Sequence, residues 1–422
     1  MTALVLYHYL YPEDVVSSVL FTDLCAYLAS RGWKVFGSAA NRGWHDENAA
    51  YPLRAEWKGV QLRRIWRPRF SQASGMGRIV NAIWMIAAWS LLAFDVRIRA
   101  DVLVIGTDPI LSVLIALPWK VLRPGVRIVH WCFDLYPEAA VAAGLMKEES
   151  IPVRLFRRLL VRAYACCDRI VDIGQCMRRL LDVYGAAQRE TICPWALAEP
   201  ESPAVADPVE RKALFGDAAI GVLYSGSFGR AHSWDGIAEL AKKLRAADGK
   251  VVFSVQGNAV DELRKAMKEA AAPVEFAGFA RHDQLDTRLA AADVHIVSLR
   301  EEWTGTVVPS KFFGALAIGR PVLFIGSRDS AIARWIEEFR VGWVLTDANM
   351  DSVIADMVES LGPRLFAHCH RVYGENFSRE RALDRWSRIL EAVTTSAPIH
   401  ATTPCSPGPA HPSNDRSSSN RA

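Results

Sequence analysis

A chain of 422 residues exceeds one ordinary hydrophobic core, and its 51% hydrophobic content is enough to fill two. A net charge of +4 is too small for a protein that coats nucleic acid, so nucleic acid is not an expected partner. Eight cysteines without paired metal or redox spacing, and a start MTALVLYHYLYPED without a basic n-region, point to the reducing cytoplasm.

The first elements read as a strand ALVLYHY (3–9), a helical SVLFTDLCAYLASRG and a strand WKVFGSAA. Arg63, Arg64, Arg67, Arg69 and Arg78 then crowd one stretch before IVNAIWMIAAWSLLAF, residues 79–94. These sixteen uncharged residues fall short of the ~20 that span a bilayer. They suit either a helix buried on a sheet, or one resting in a membrane interface with Trp84 and Trp89 inserted and arginines toward anionic headgroups. DVLVIGT (101–107) runs through Asp108-Pro109 into ILSVLIALPWKVL and the strand RIVHWCF (127–133). A basic amphipathic helix (152–165) with Arg154, Arg157, Arg158 and Arg162 precedes DRIVDIG (168–174).

Strands that read as unbroken apolar runs are buried on both faces, which describes a parallel sheet covered by helices. After LAEPESPAVADP the alternation restarts, with strands at 220–227, 251–257, 274–279, 293–299 and 321–326. The predicted fold class is therefore α/β: two tandem Rossmann-like doubly wound domains with a cleft between them. Their bounds are 1–196 and 209–377, joined by a linker at 197–208. A last helix at 378–395 carries an apolar stripe of Leu383, Trp386, Ile389 and Leu390, expected to pack back on the first domain. The Pro/Ser/Asn-rich tail, 396–422, is expected to be disordered.

Two segments of the second domain suit an anion. In YSGSFGRAH (224–232) a strand ends in Gly226, Ser227 and Gly229 before Arg230, a turn that lets main-chain N–H groups approach a phosphate, or else an ordinary strand-to-helix turn. In GTVVPSKFFGALAIGRPV (305–322) Pro309 sets a helix start at Ser310, with Lys311 in its first turn. A cation is unfavourable at a helix N-terminus, so Lys311 is expected to answer an anion beside Arg230. A Ser-Lys nucleophile pair is the other reading, although the companion motifs of such hydrolases are missing. In the first domain His130 and Asp134 end a strand at the cleft edge, and Asp134 with Glu138 offers a carboxylate pair. Against that stand a core role for His130 and helix capping by Asp134. His368-Cys369-His370 has no second ligand cluster nearby, and no metal site is expected.

The second domain resembles the retaining nucleotide-sugar glycosyltransferases of family 4, which have the GT-B fold. The residues that carry this are VLYSGSFGRAHSWDGI, FSVQGNAVDELRK, VEFAGFARHDQLDTRLAAADVHIVSL and VVPSKFFGALAIGRPVL. GTDPILSVLIALPWKVL, HWCFDLYPEAAVAAG and CDRIVDIGQCMRRLL in the first domain are similar to the same family, up to about Val393 in all. The forms VVPSK and DLYPE resemble the branch of colanic-acid and O-antigen transferases.

The resemblance implies a UDP- or GDP-sugar donor held by Gly226, Ser227, Gly229, Arg230, Ser310 and Lys311, with no cofactor and no metal. Its base pocket would lie near Gly278, Phe279 and Arg281. His130 and Asp134 would serve a glycan acceptor, lipid-linked at the inner face of the cell membrane if the basic stretch binds headgroups. The chain departs from the family where two glutamates commonly stand eight residues apart, here Thr306 and Gly314. Glu301 and Glu302 are substitutes for holding ribose, or a solvated loop pair. A nucleotide-sugar 2-epimerase and an inert partner protein of the same fold are the alternative functions.

Overall fold

The computed structural model describes residues 1–395 apart from 45, 73, 186 and 281–283. Arg281 and the tail after 395 thus lie outside the described residues.

Two sheets organise the chain. The first contains β1 (Thr2–Leu6), β2 (Lys34–Ala40), β3 (Arg54–Trp57), β4 (Val60–Ile65), β5 (Val102–Gly106), β6 (Arg127–Trp131), β7 (Arg169–Asp172) and β8 (Arg189–Thr191), in the order β3-β4-β2-β1-β5-β6-β7-β8. All neighbours are parallel except β3 and β4, whose antiparallel pair closes one edge. The second contains β9 (Ile220–Ser227), β10 (Gly249–Gln256), β11 (Val274–Phe276), β12 (Val294–Ser298), β13 (Val322–Ile325) and β14 (Gly342–Leu345), in the order β11-β10-β9-β12-β13-β14, all parallel. The central strands are buried along their length, as their continuous apolar runs require.

In each sheet the strand order reverses once, between β1 and β5 and between β9 and β12. At such a switch point the connections leave in opposite directions and open a crevice at the carboxyl ends of the strands. The chain therefore builds two crevices.

The sequence reading passes over β3, β4, β8 and β14. The strand β4, VQLRRI, alternates: Val60, Leu62 and Arg64 point in, while Gln61 and Arg63 point out. Its inward arginine hides the apolar signal. Arg64 donates to the Pro52 carbonyl at 2.9 Å and to the Tyr11 carbonyl at 2.6 Å. Arg67 is also buried, with Nη1 on the Tyr9 hydroxyl at 3.2 Å. Two of the five arginines grouped at 63–78 thus serve the interior.

The Arg379–Thr395 helix crosses back to the first sheet. Trp386 is fully buried, its ring 4.7 Å from that of Trp131 on β6, and Asp384 accepts from Tyr27 of the Val16–Ser30 helix. The His368-Cys369-His370 tract is structural: the histidines meet the carbonyls of Phe339 and Pro200, at 2.7 and 2.9 Å, and Cys369 is buried. Among the described residues no group of His, Cys, Asp and Glu is placed to hold a metal ion.

Candidate functional site

The second crevice is built around Lys311. Ser310 precedes the short Lys311–Ala317 helix and offers its side chain to no main-chain N–H there. Lys311 reaches back over the end of β9. Gly226 has φ +110°, and a Cβ at that position would stand 3.0 Å from Lys311 Cε, so glycine allows both the backbone turn and the passage of the lysine. The ammonium lies 5.5 Å from the centre of the Tyr224 ring and 3.4 Å from His232 Nε2.

His232 sets the charge of this pocket. Its Nδ1 donates to the Ser298 carbonyl at 2.9 Å, which leaves Nε2 a lone pair facing Lys311. Burial first, and then the lysine charge, lower its pKa to about 3, so the imidazole is neutral. Burial also lowers Lys311 to about 8. No carboxylate pairs with Lys311 among the described residues. A half-buried cation whose one side-chain hydrogen-bond partner is neutral has two N–H groups left for an anion.

Around it, the end of β9 supplies Ser227, which is exposed, and the turn that follows supplies Gly229 and Arg230 at the rim. Arg230 is exposed and makes no side-chain hydrogen bond or ion pair among the described residues. The turn is held from β12: Arg300 donates from its main chain to the Ala231 carbonyl at 2.8 Å, and its guanidinium stacks 5.1 Å over Trp234. Gly278 is engaged differently, since its carbonyl accepts from Ser254 Oγ and Arg288 Nη1, both at 2.9 Å, while Phe279 is exposed. Glu302 lies exposed in the 3-10 turn Glu301–Trp303. Thr306 is buried and donates its hydroxyl to Trp303, whereas a Cβ at Gly314 would meet nothing within 4 Å.

The first crevice centres on two residues the sequence reading left unassigned. His8, just past β1, places Nδ1 3.1 Å from Asp108 Oδ1, just past β5. The imidazole is buried, stacked on Tyr9, and its Nε2 has no partner among the described residues. Asp134, in the turn after β6, has its pKa pushed up to about 6, by burial first and then by Asp108. Its neighbouring acid is therefore Asp108. Glu138, expected as the partner, instead accepts from Arg157 Nε at 3.1 Å and from the Tyr184 hydroxyl. Nor is Asp134 a helix cap: the Glu138–Ala142 helix begins after Pro137 with no side-chain cap. His130 lies on β6, its pKa lowered to about 4 by burial. With Thr107, Ser112, Asp134 and Tyr164 it lines a small cavity, and its Nδ1 has no hydrogen-bond partner among the described residues.

The two crevices are joined. The Leu135 N–H donates to the Thr306 carbonyl at 3.0 Å, one residue from Asp134 and four before Ser310. Gly305, with φ +87°, passes so close to the Cys176 carbonyl that a Cβ would stand 2.6 Å from it. Arg179 also donates to the Asp329 carbonyl at 2.9 Å.

Structural comparison covers both domains. Sucrose-phosphate synthase from Thermosynechococcus elongatus superposes with a TM-score of 0.68 at 16% identity, over 93% of this chain and 98% of that one. The fold is GT-B. HepE from Anabaena, solved in complex with UDP-glucose, gives 0.58 at 14% identity over 93% and 100%. Residues 220–362 of this GT-B chain match the family model described as glycosyl transferases group 1. Among curated proteins, the probable glycosyltransferase WbjE of Pseudomonas aeruginosa is 28% identical over 352 residues, 79% of this chain and 84% of that protein. These likenesses show the GT-B fold, and the group 1 match lies within the second domain. The Lys311 crevice falls inside the matched segment.

Proposed function

We propose that the chain transfers a hexose from a UDP- or GDP-sugar to a glycan acceptor, with retention at the anomeric carbon, in cell-surface polysaccharide biosynthesis. The observation that carries this reading is the half-buried Lys311 ammonium, folded over Gly226 at a switch point, whose one side-chain hydrogen-bond partner among the described residues is neutral His232. A diphosphate supplies the charge such a site calls for.

In the reaction the acceptor oxygen bonds to the anomeric carbon on the same face from which the bond to the phosphate oxygen breaks, which keeps the configuration. The electron pair leaves with the diphosphate. Lys311, the main-chain N–H groups of Gly229 and Arg230, Ser310 and the Arg230 side chain from the rim receive that charge, so positive side chains do the work a metal ion would otherwise do. Across the cleft, Asp134 orients the acceptor hydroxyl and takes its proton. In this reading Gly278 and Phe279 lie toward the base, exposed Glu302 takes the ribose, and the open space at Gly314 leaves room for the donor. HepE bound to UDP-glucose favours a UDP-sugar by analogy. The acceptor we assign is lipid-linked, which sets the enzyme at the cytoplasmic face of the membrane.

A thermal-shift screen of wild type and Lys311→Ala against UDP, GDP, ADP and their sugars tests the donor site. Stabilisation of wild type alone supports it, and no response to any nucleotide sinks it. Product analysis then separates the reactions, because an epimerase converts the donor without any acceptor.

A further inference from the structure

The Gly75–Leu91 helix has two apolar faces, and the fold uses only one. Met85 and Trp89 are fully buried, and the Trp89 indole donates to Ser38 Oγ at 2.9 Å. The outward face carries Met76, Ile79, Ile83 and Leu91, continued by Phe94 and Val96, all exposed; Ile83 is 63% and Phe94 64% accessible. Trp66 and Phe70 are exposed too, and the Trp84 indole donates to the Trp66 carbonyl at 2.6 Å. By length and composition Gly75–Phe94 would pass for a membrane span, but its buried stripe fixes it to the first sheet.

Charge surrounds this apolar stripe with one sign. Between residues 63 and 99 there are seven arginines and a single acid, Asp95, which is held by Arg97 at 2.9 Å. Arg63, Arg69, Arg78, Arg97 and Arg99 are exposed. The Ile151–Ala165 helix packs, with the Gly75–Leu91 helix, on the turn Ser112–Ile115, and adds exposed Leu155 with Arg154, Arg158 and Arg162. A patch this wide, with tryptophan at its edge and a basic rim, is more than the scattered apolar exposure of an ordinary surface. A second copy is disfavoured as the occupant, because a two-fold contact would set one arginine rim against another.

We propose that this face docks on a bilayer that contains anionic lipid, with the Met76–Val96 stripe in the acyl boundary and the exposed arginines against the headgroups. The interior role of Arg64 and Arg67 and the burial of Trp89 divide the region cleanly: Trp84 belongs to the lipid side and Trp89 to the core. The inference does not depend on the reaction, since vesicle binding is read without donor or acceptor.

The test is co-sedimentation of the full chain with phosphatidylcholine vesicles, with and without phosphatidylglycerol. Wild type, Ile83→Glu/Phe94→Glu and Arg69→Gln/Arg78→Gln/Arg99→Gln are compared, each checked for an unchanged circular dichroism spectrum and Tm. Wild type should bind the anionic vesicles at low salt and release as salt rises. Each variant should lose about tenfold in the bound-to-free ratio. Wild type that ignores anionic vesicles overturns the proposal, as does a variant of either kind that binds as wild type does. A lipid-free dimer dissolved by Ile83→Glu would assign the face to a second copy instead.

Discussion

Lys311 Nζ and His232 Nε2 stand 3.4 Å apart, the one cationic and the other kept neutral by burial and by the lysine charge, with its tautomer set by the Ser298 carbonyl. Burial has brought Lys311 down to about 8, whereas a bound diphosphate would raise it again. Below pH 8 the free protein already holds the proton. Above it, binding must take one up, so nucleotide affinity should fall by up to tenfold per pH unit from pH 8 upward. Titration calorimetry of UDP and GDP between pH 7 and 10 reads this directly. Lys311→Ala should weaken binding by about 1.5–3 kcal/mol and flatten the profile.

Gly226→Ala tests the fit of the same lysine. The new methyl would stand 3.0 Å from Lys311 Cε at a backbone φ of +110°. Strain of about 1–3 kcal/mol and a displaced ammonium should both follow. If the two changes act through one contact, Gly226→Ala added to Lys311→Ala should cost less in nucleotide affinity than the sum of the single variants.

On the acceptor side, Asp134→Asn should leave nucleotide affinity intact and depress transfer. A carboxyl raised to about 6 is protonated below that pH and becomes a base above it, so wild-type kcat should climb through pH 6. Asp134→Asn should lack that limb. Because the Asp108 charge helps to raise Asp134, Asp108→Asn should shift the midpoint downward. A wild-type profile that is flat from pH 5 to 8 would remove Asp134 from proton transfer.

Trp386→Ala addresses the returning helix. The ring is fully buried against Trp131 in the first domain's core, and its loss should cost about 3–5 kcal/mol. Chemical denaturation should show the loss in the first domain's transition, because the helix is covalently attached to the second domain but packs on the first.

Much of the fold could be read from local pattern. IGVLYSGS coincides with β9, and the apolar runs at 101–107, 127–133, 168–174 and 293–299 each hold a central strand, because burial on both faces leaves an unbroken apolar signature. The edge strand β3 and its neighbour β4 left none. Their exposed sides are polar, and β4 turns an arginine inward. A helix start before Lys311 was legible as well, from Pro309 and the apolar FFGALA that follows.

What surrounds Lys311 and Asp134 was decided by tertiary structure. His8 and Asp108 are 100 residues apart and meet because β1 and β5 are neighbours at the switch point. His232 meets Lys311 across 79 residues for the same reason at β9 and β12. No local pattern encodes such pairs, since sequence periodicity reports which face of an element is apolar and not which strand it joins. Glu138 shows the converse: four residues from Asp134, it turns instead to Arg157 and Tyr184, because the Glu138–Ala142 helix carries it toward the Ile151–Ala165 helix. The Gly75–Leu91 helix combines both levels. Its composition announced an apolar segment, and only packing on the first sheet assigned Trp89 to the core and left Trp84 outside.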